Sequence, residues 1–407
     1  MTRSHRTPVV AHALRRLVLA SAIAVPFTLV SSAPPSAGAS CGSFQRRVDY
    51  ARWGSTITIP RCVFHQTVTV RKRLTINAYG ATIDGDNVRA GLRILASDVT
   101  VNGLTVRRVR TGLHGGAVWV SGVNRFTFRD GVARDSNTIC LSLNGGTGHR
   151  IIHSELTGCG KEGYFTNGVS YSSFMHNHIH HNNRLFRFDP EVEAGGGKSM
   201  AGRGLTFYSN SVHDNGGPGI WFDNGMHDVV VRSNRVYRND RAGIFFEISS
   251  GAKIYSNKVW GNGFGKAAWG YGAGITISSS DYADVHDNVV AWNARGISVI
   301  SQARGPAPHN GNVVHDNVIV QRSGRYVAGF YDDHGGSLFR SANGNIGYRN
   351  TYWVAGSEPA SDRFQWAGGR RTLIAYNGTP GESGGRYLSL VTRNSILTTA
   401  RIPLSYR

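Results

Sequence analysis

The chain is 407 residues long and carries 45 lysine and arginine residues against 25 aspartate and glutamate residues, a formal net charge of +20. A surface of one sign concentrates ligands of the opposite sign, so the charge favours a polyanionic ligand over a basic one. Beyond residue 30 no stretch approaches the roughly 20 apolar residues that a membrane-spanning helix needs, which excludes a chain threaded repeatedly through a bilayer.

Residues 1–39 are interpreted as an export signal. Arginines precede the apolar run LVLASAIAVPFTLV, which ends in small residues with an A-G-A cleavage pattern at 37–39. We therefore expect a soluble protein that is secreted to the extracellular space and begins at Ser40. Two alternatives stay open: a twin-arginine signal at positions 15–16, and a degenerate lipoprotein box, GASC, at 38–41.

Four cysteines follow the signal, at Cys41, Cys62, Cys140 and Cys159. An even number of cysteines in an oxidising compartment indicates disulfides, and the spacing predicts the pairs 41 with 62 and 140 with 159. Buried free thiols are the alternative.

The expected compartment also narrows the choice of partner. Outside the cell, acidic polysaccharide is a more available polyanion than nucleic acid, so we expect a monomer that binds acidic polysaccharide and no nucleic acid. Ordinary surface charge without a specific partner is the alternative.

A short motif recurs through the middle of the chain: asparagine, any residue, valine or isoleucine, two residues, asparagine. Successive first asparagines are 33, 24, 23 and 31 residues apart, so a unit of 23 to 24 residues repeats with two insertions. Asparagine tolerates left-handed backbone angles, and stacked asparagine amides form hydrogen-bonded ladders. The same alignment stacks His180, His213, Tyr237 and Trp260. The copies are NHIHHN (177–182), NSVHDN (210–215), NRVYRN (234–239), NKVWGN (257–262) and NVVAWN (288–293).

Short runs with period-2 alternation separate these motifs. No stretch shows helical periodicity over ten or more residues, so the sequence predicts strands and no helices. Short strands at a fixed spacing, with asparagine and glycine turns, indicate a solenoid of parallel strands. The runs are LTFYS, VVVRS, GIWFD, GIFFE, GITIS and GISVI.

The asparagine motifs and glycine-led strands resemble the right-handed parallel β-helix proteins, the architecture of pectate lyases and their relatives. The resemblance covers about residues 55–330. It implies an all-β chain with a single-stranded right-handed parallel β-helix, a solenoid, over 40–330. Residues 331–407 are then expected to form the last coils and a C-terminal capping segment packed on the helix, because an open solenoid end exposes strand edges.

Two carboxylates occupy equivalent positions in successive coils. Asp223 ends GIWFD and Glu247 ends GIFFE, 24 residues later, and alternation predicts that both side chains face outward with Trp221 and Phe245. Stacked strands lie about 4.8 Å apart. Two carboxylates at that separation repel by roughly 3 kcal/mol at an effective dielectric constant near 20, so a cation or a shared proton is expected beside them.

The segment RFDPEVEAGGGKSM offers that cation. We interpret residues 183–197 as an insertion that delivers acids and Lys198 to the outward face, with its glycine run providing a one-residue bulge that aligns Lys198 with Asp223. A second insertion at 263–273 is expected to wall the same groove with Trp269 and Tyr271.

The pattern Glu191-x-Glu193-x4-Lys198 resembles that of the chondroitinase B and alginate lyase family, which is also β-helical. The resemblance implies that Glu191 and Glu193 bind calcium and that Lys198 removes the proton α to a uronate carboxylate. Asp189 is a third candidate metal ligand in the same loop. That family has an arginine as acid in the next coil, where this chain has Asp223.

The predicted function is therefore a polysaccharide lyase or epimerase acting by β-elimination, with catalytic residues Lys198, Asp223 and Glu247. One alternative is a glycoside hydrolase in which the last two residues form a carboxylate pair. Another is a binding or adhesion module without catalysis. The candidate substrate-binding residues are Trp221, Phe245, Trp269, Tyr271 and Arg241.

A run of histidines offers one further possibility. His176, His178 and His180 face one way under period-2 alternation, next to His181, and are readable as a metal cluster. Two of these positions also coincide with ordinary turns of the repeat. Both interpretations stay open.

Overall fold

The computed structural model describes residues 41–304, 309–356 and 362–406. The predicted export signal and its cleavage site lie outside the described residues.

The described chain contains 38 strands and three α-helices. The first coils contain α1 (Phe44–Tyr50), β1 (Thr56–Thr58), β2 (Val63–Phe64), β3 (Val68–Val70), β4 (Thr75–Asn77), β5 (Thr82–Asp84), β6 (Leu92–Ile94), β7 (Thr100–Asn102), β8 (Thr105–Arg107), β9 (Gly116–Ser121), β10 (Thr127–Arg129), β11 (Val132–Arg134) and β12 (Ile139–Asn144). The middle coils contain β13 (Arg150–Ile152), β14 (Glu155–Thr157), β15 (Glu162–Asn167), β16 (Ser173–Met175), β17 (His178–His180), β18 (Gly195–Met200), β19 (Thr206–Tyr208), β20 (Ser211–His213), β21 (Ile220–Asp223), β22 (His227–Arg232), β23 (Arg235–Tyr237), β24 (Ile244–Glu247), β25 (Ser250–Tyr255) and β26 (Lys258–Trp260). The last coils contain β27 (Ala273–Ser278), β28 (Asp281–His286), β29 (Val289–Ala291), β30 (Arg295–Ser301), β31 (Val313–His315), β32 (Val318–Gln321), β33 (Ala328–Asp332), β34 (Ile346–Tyr348), β35 (Thr351–Val354), β36 (Phe364–Trp366), β37 (Gly369–Arg371), α2 (Leu373–Asn377), β38 (Arg386–Tyr387) and α3 (Leu390–Ala400).

The strands form three long sheets, because almost every strand pairs in parallel with the strand three places further along the chain. The first sheet runs from β1 to β34, the second from β2 to β38 and the third from β3 to β37, with 12, 13 and 13 strands. Among the described strands, antiparallel pairing is confined to the hairpin of β36 and β37. One strand from each sheet makes one coil, so the predicted solenoid of parallel strands is confirmed.

The hydrophobic core fills the inside of the stacked coils, which together we call the column. In the third sheet Ile220 and Phe222 point inward and stack on Ile244 and Phe246 of the next coil, as alternation predicts. Burying such side chains contributes roughly 1.5–3 kcal/mol each relative to exposure. The outward residues of these strands belong to a separate apolar cluster.

Two asparagine ladders run along the corners on either side of the second sheet, and the predicted amide stacking is confirmed. Asn234 is typical: its Oδ1 accepts from the backbone N–H and the Nδ2 of Asn210, both at 2.9 Å. Its Nδ2 donates to Asn257 Oδ1 at 3.0 Å and to the Phe207 carbonyl at 2.9 Å. The side chain is fully buried, so all of its hydrogen-bonding groups depend on the neighbouring coils.

The left-handed backbone angles fall one residue earlier than predicted. The residue before each ladder asparagine has positive φ, for example 58° at Ser233 and 52° at Arg238, whereas Asn234 and Asn239 do not. The asparagine is therefore selected by its amide, which must bond in two directions along the column. The preceding residue adopts the left-handed backbone angles that the corner between two strands requires.

The prediction of no helices is wrong at the C-terminus, where α3 has 11 residues. Its buried face consists of Arg393, Leu397 and Ala400, so it shows no apolar stripe in the sequence. This face packs on the outer surface of the second sheet against Trp292, and the Trp292 indole donates to the Pro403 carbonyl at 2.7 Å. The helix thus shields part of that sheet from solvent.

Both predicted disulfides are present. Cys41 pairs with Cys62 and Cys140 with Cys159, closing loops of 21 and 19 residues. Among the described residues, no helix has the length and apolar character to cross a membrane.

Replacing Asn234 with alanine tests the ladder. The variant leaves the buried N–H of Asn210 and the carbonyl of Phe207 without their partner, and each unpaired group costs about 1–3 kcal/mol. We expect a loss of about 3 kcal/mol or more in the free energy of unfolding, measured by guanidinium denaturation followed by circular dichroism. Asn167→Ala, at an exposed asparagine, is the control and should change it by less than about 0.5 kcal/mol. Equal effects of the two variants would contradict the role of the ladder.

Candidate functional site

Four of the predicted site residues, Lys198, Trp221, Asp223 and Glu247, meet on the outer face of the third sheet. Trp221 of β21 lies opposite Phe245 of β24, which places Asp223 and Glu247 at equivalent positions in successive coils, as predicted. Their backbones are held by parallel pairing on both sides, so the strand spacing places the two backbone positions about 4.8 Å apart. The site is therefore built on rigid strands and covered by loops.

Lys198 reaches Asp223, but through a different register from the predicted one. Its backbone lies opposite Trp221, and Met200 lies opposite Asp223. The glycines before Lys198 do not form a bulge, because they are strand residues of β18 paired with β15. A Cβ atom at Gly197 would lie 2.3 Å from the ring of Tyr164, so glycine is required there for close packing.

The ammonium group of Lys198 is fully engaged. Its Nζ lies 2.7 Å from Asp223 Oδ2 and donates to the Val192 carbonyl at 2.8 Å. It also lies 3.8 Å from the centre of the Trp221 ring, a cation–π contact. Only 6 % of the side chain is exposed. Three acceptors thus take up the three N–H groups of a protonated lysine.

Glu247 is also buried beside a cation. It is buried, accepts a hydrogen bond from the indole N–H of Trp221 at 3.1 Å and contacts the guanidinium of Arg304. Burial and the negative charge of Asp223 raise the pKa of Glu247, and Arg304 opposes that rise. The two carboxylates therefore have different cationic partners although they occupy the same place in the repeat.

A cavity of about 260 Å³ opens onto Glu247, and we call it the Glu247 pocket. It lies between the two insertions, where Phe245 and Tyr271 supply its aromatic surface. Arg304 donates to the Tyr271 hydroxyl at 3.0 Å, and burial raises the pKa of that phenol. The lining residues are Pro190, Glu191, Pro218, Arg241, Ala242, Phe245, Glu247, Lys266, Tyr271, Gly272, Gln302 and Arg304.

The aromatic candidates divide into three groups. Phe245 and Tyr271 line the Glu247 pocket together with the predicted Arg241. Trp221 is only 2 % exposed and is covered by Lys198, so its prediction as an open sugar-stacking surface is wrong. Trp269 is exposed but contacts Tyr331 and is not among the residues that line the pocket.

The three acids of the first insertion do not converge. Glu191 pairs with Arg241 and with Lys266 Nζ, the latter at 2.5 Å. Asp189 accepts from the backbone N–H of Glu191 at 2.8 Å and so shapes the loop.

Glu193 pairs instead with Lys161 Nζ at 2.8 Å. Calcium requires several oxygen ligands directed at one point. Among the described residues, the triplets whose ligand atoms lie within 4.8 Å of one another do not include Asp189, Glu191 and Glu193. Since protein cations already neutralise the two glutamates, these residues do not fit the predicted calcium site.

Several charged groups at the site were not predicted from the sequence. Lys161 and Glu162 are fully buried, and neither carboxylate oxygen of Glu162 has a hydrogen-bond partner. Burial raises the pKa of Glu162 to about 8, against the opposing charge of Lys161. Both residues directly precede Gly163, which heads a strand of the repeat, and that position was the available signal. Arg304 follows β30 in an irregular segment and gave no such signal.

A protein family and several solved structures are similar to this chain. The family described as right handed beta helix region matches residues 115–281. No curated protein matches the chain. The A-module of the Azotobacter vinelandii mannuronan C-5 epimerase AlgE6 has a similar structure, with a TM-score of 0.58, 13 % identity, and coverage of 83 % of this chain and 91 % of that chain.

Two further solved structures are more distant. The Dettilon tailspike protein has a TM-score of 0.48 at 14 % identity, covering 78 % of this chain and 64 % of that one. A mannuronic-acid-specific family 6 polysaccharide lyase from human gut microbiota has a TM-score of 0.44 at 8 % identity, covering 88 % and 92 %. The chain thus has the fold of a right-handed parallel β-helix, as its sequence predicts.

The pairing of Lys198 with Asp223 predicts a measurable energetic coupling. Asp223→Asn leaves a buried ammonium without its anion, and breaking such a pair costs about 3–5 kcal/mol. The double variant Lys198→Met/Asp223→Asn should lose less than the sum of the single variants in urea denaturation. As a control, Asp228→Asn removes the exposed partner of Arg203 and should cost less than about 1 kcal/mol. Additive effects at 198 and 223 would show that the pair does not stabilise the fold.

Proposed function

We propose that the protein hydrolyses glycosidic bonds of an acidic polysaccharide at the Glu247 pocket. The observation that carries this proposal is the pair of buried carboxylates in successive coils, each beside a cation, of which Glu247 has a raised pKa and borders the pocket. Two carboxylates whose environments separate their proton affinities are the usual means of dividing acid and base roles at one site.

Glu247 is the proposed general acid. Because burial favours its neutral form, it holds a proton near neutrality better than an ordinary carboxylate does. It also borders the pocket, within reach of a bound glycosidic oxygen. Its proton passes to that oxygen as the bond to the anomeric carbon breaks.

Asp223 is the proposed second carboxylate. Its Oδ2 lies 2.7 Å from Lys198 Nζ, and it stands one coil from Glu247, beside the Glu247 pocket rather than among the residues that line it. Retaining glycosidases place their carboxyls about 5–5.5 Å apart, close to the strand spacing that separates these two positions. In the first step Asp223 bonds to the anomeric carbon, and in the second Glu247 takes a proton from the water that releases the sugar.

The pocket lining favours an anionic sugar. Among the described residues that line the pocket, three are basic, Arg241, Lys266 and Arg304, and two are acidic, Glu191 and Glu247. The first two basic residues share Glu191 and the third pairs with Glu247, so the lining has one cation in excess. Guanidinium groups match the planar, bidentate geometry of a carboxylate. A uronate residue is therefore the proposed occupant, in agreement with the positive charge of the whole chain.

Elimination is the second candidate, and the same basic residues favour it. Neutralising the substrate carboxylate acidifies the proton α to it, which is the first requirement of a lyase or epimerase. Lys198 stays the predicted base for that reaction. Its Nζ contacts Asp223, the Val192 carbonyl and the Trp221 ring, however, so it would have to leave these three partners before acting. For this reason the geometry favours hydrolysis.

A panel of uronate polymers tests the reaction type. We expect new reducing ends without the ultraviolet absorbance of an unsaturated uronate. Absorbance that grows with product and disappears in Lys198→Met would replace hydrolysis by elimination. Retention of polymer without either signal would leave a binding module.

Glu247→Gln tests the acid. The variant keeps the shape of the side chain but loses its proton, so we expect kcat to fall by about 10²–10⁴-fold. In the parent protein kcat should decline as pH rises through the raised pKa of Glu247, since only the protonated form acts. Lys253→Gln, on the outer face of the first sheet, is the charge-change control and should leave kcat unaltered. An unaltered kcat in Glu247→Gln would refute the assignment.

A further inference from the structure

A second cluster of ligand-type side chains lies on the outer face of the second sheet, away from the Glu247 pocket. It joins three successive coils through β14, β17 and β20. None of its members lines the Glu247 pocket. The four residues are Glu155, His178, His180 and His213.

The register of the sheet brings these side chains together. Glu155 lies opposite His178, and His180 lies opposite His213 in the next coil. His180 Nε2 is 3.0 Å from Glu155 Oε1, and His178 Nε2 is 2.6 Å from His213 Nε2. One ligand atom from each of Glu155, His178 and His180 falls within 4.8 Å of the others, and His213 adjoins this triplet through its contact with His178.

His213 is oriented by a second layer of contacts. Its Nδ1 lies 2.6 Å from Asp214 Oδ2, and Arg238 holds Asp214 through two hydrogen bonds of 2.9 and 2.6 Å. A proton on Nδ1 leaves Nε2 with its lone pair, and that atom faces His178. A carboxylate behind a histidine in this way is the usual outer partner of a metal-bound imidazole.

We propose that Glu155, His178, His180 and His213 bind a divalent transition metal, with Zn²⁺ the best match. Three imidazole nitrogens and one carboxylate oxygen form a common tetrahedral zinc ligand set. Imidazole ligands disfavour calcium and magnesium, which require oxygen. The ion would link three coils just before the first insertion begins. This proposal is independent of the proposed hydrolysis.

Aromatic stacking alone does not account for the cluster. His180, His213, Tyr237 and Trp260 do form the predicted stack, with ring centres 5.1, 4.5 and 4.2 Å apart. The stack continues through tyrosine and tryptophan, so it does not require histidine. Neither Glu155 nor His178 occupies that row, yet both point their polar atoms at it. A shared ligand explains their convergence.

Equilibrium dialysis of the untagged protein against Zn²⁺, followed by metal analysis, tests the site. We expect a stoichiometry of about one ion per chain. Co²⁺ should give the intense visible absorption of a tetrahedral complex. The double variant His178→Ala/His213→Ala should abolish both signals, and Asp214→Asn should weaken zinc binding about 10- to 100-fold.

His286→Ala is the matched control. This histidine also faces outward in a stack, and its Nδ1 lies 2.8 Å from Asp287, but it stands on β28 of the first sheet, away from the four proposed ligands on the second. It should keep full zinc binding. Glu155→Gln, which conserves shape, guards against misfolding and should still lose affinity with an unaltered circular dichroism spectrum. Absence of bound zinc in the parent protein, or its retention in the folded double variant, would overturn the proposal.

Discussion

Stacking of coils at a constant spacing is the constraint on which the rest of this structure depends. Parallel pairing fixes the distance between coils, and the buried asparagines fix their rotation, because an amide bonded above and below cannot shift by a residue without losing four hydrogen bonds. Residues at the same place in the repeat therefore become neighbours. Any chemistry that needs two groups side by side can be placed one coil apart.

Both candidate sites use this property, with different residues. On the third sheet, equivalent positions carry Asp223 and Glu247, a pairing that would repel without Lys198 and Arg304. On the second sheet, equivalent positions carry His180 and His213, which stack as rings and present nitrogen atoms to one region. In each case like groups that are unfavourable alone are made stable by a counter-charge or, as proposed, by a shared ion. Clusters of like groups therefore indicate a functional role rather than a contribution to the stability of the fold.

The fold could be predicted because its signals are local and periodic. The asparagine motif, the coil length and the alternation in GIWFD and GIFFE define the inward and outward faces, and the structure agrees with each. The helix α3 was missed because its buried face includes Arg393, whose guanidinium lies 4.0 Å from the Trp353 ring centre in place of an apolar contact. Apolar periodicity can reveal a helix only when the buried face of that helix is apolar.

The site, likewise, was predictable only where it follows the repeat. Asp223 and Glu247 were placed correctly, since one coil separates them without an insertion. The predicted register of Lys198 was wrong because the insertion before it makes the number of residues in that coil uncertain from the sequence. The glycines that suggested a bulge allow close packing against Tyr164 instead.

The two insertions bury residues on the outer face of the third sheet, and burial changes the pKa values and the ion pairing of those residues. Trp221, Asp223 and Glu247 point away from the core, yet each is at most 5 % exposed because the loops fold over them. An outward strand position would ordinarily give a carboxylate near its usual pKa. Beneath the loops the same position raises the pKa of Glu247 and strengthens the ion pair of Lys198 with Asp223. The column positions the groups, and the loops that interrupt its repeat bury them, which raises the pKa of Glu247.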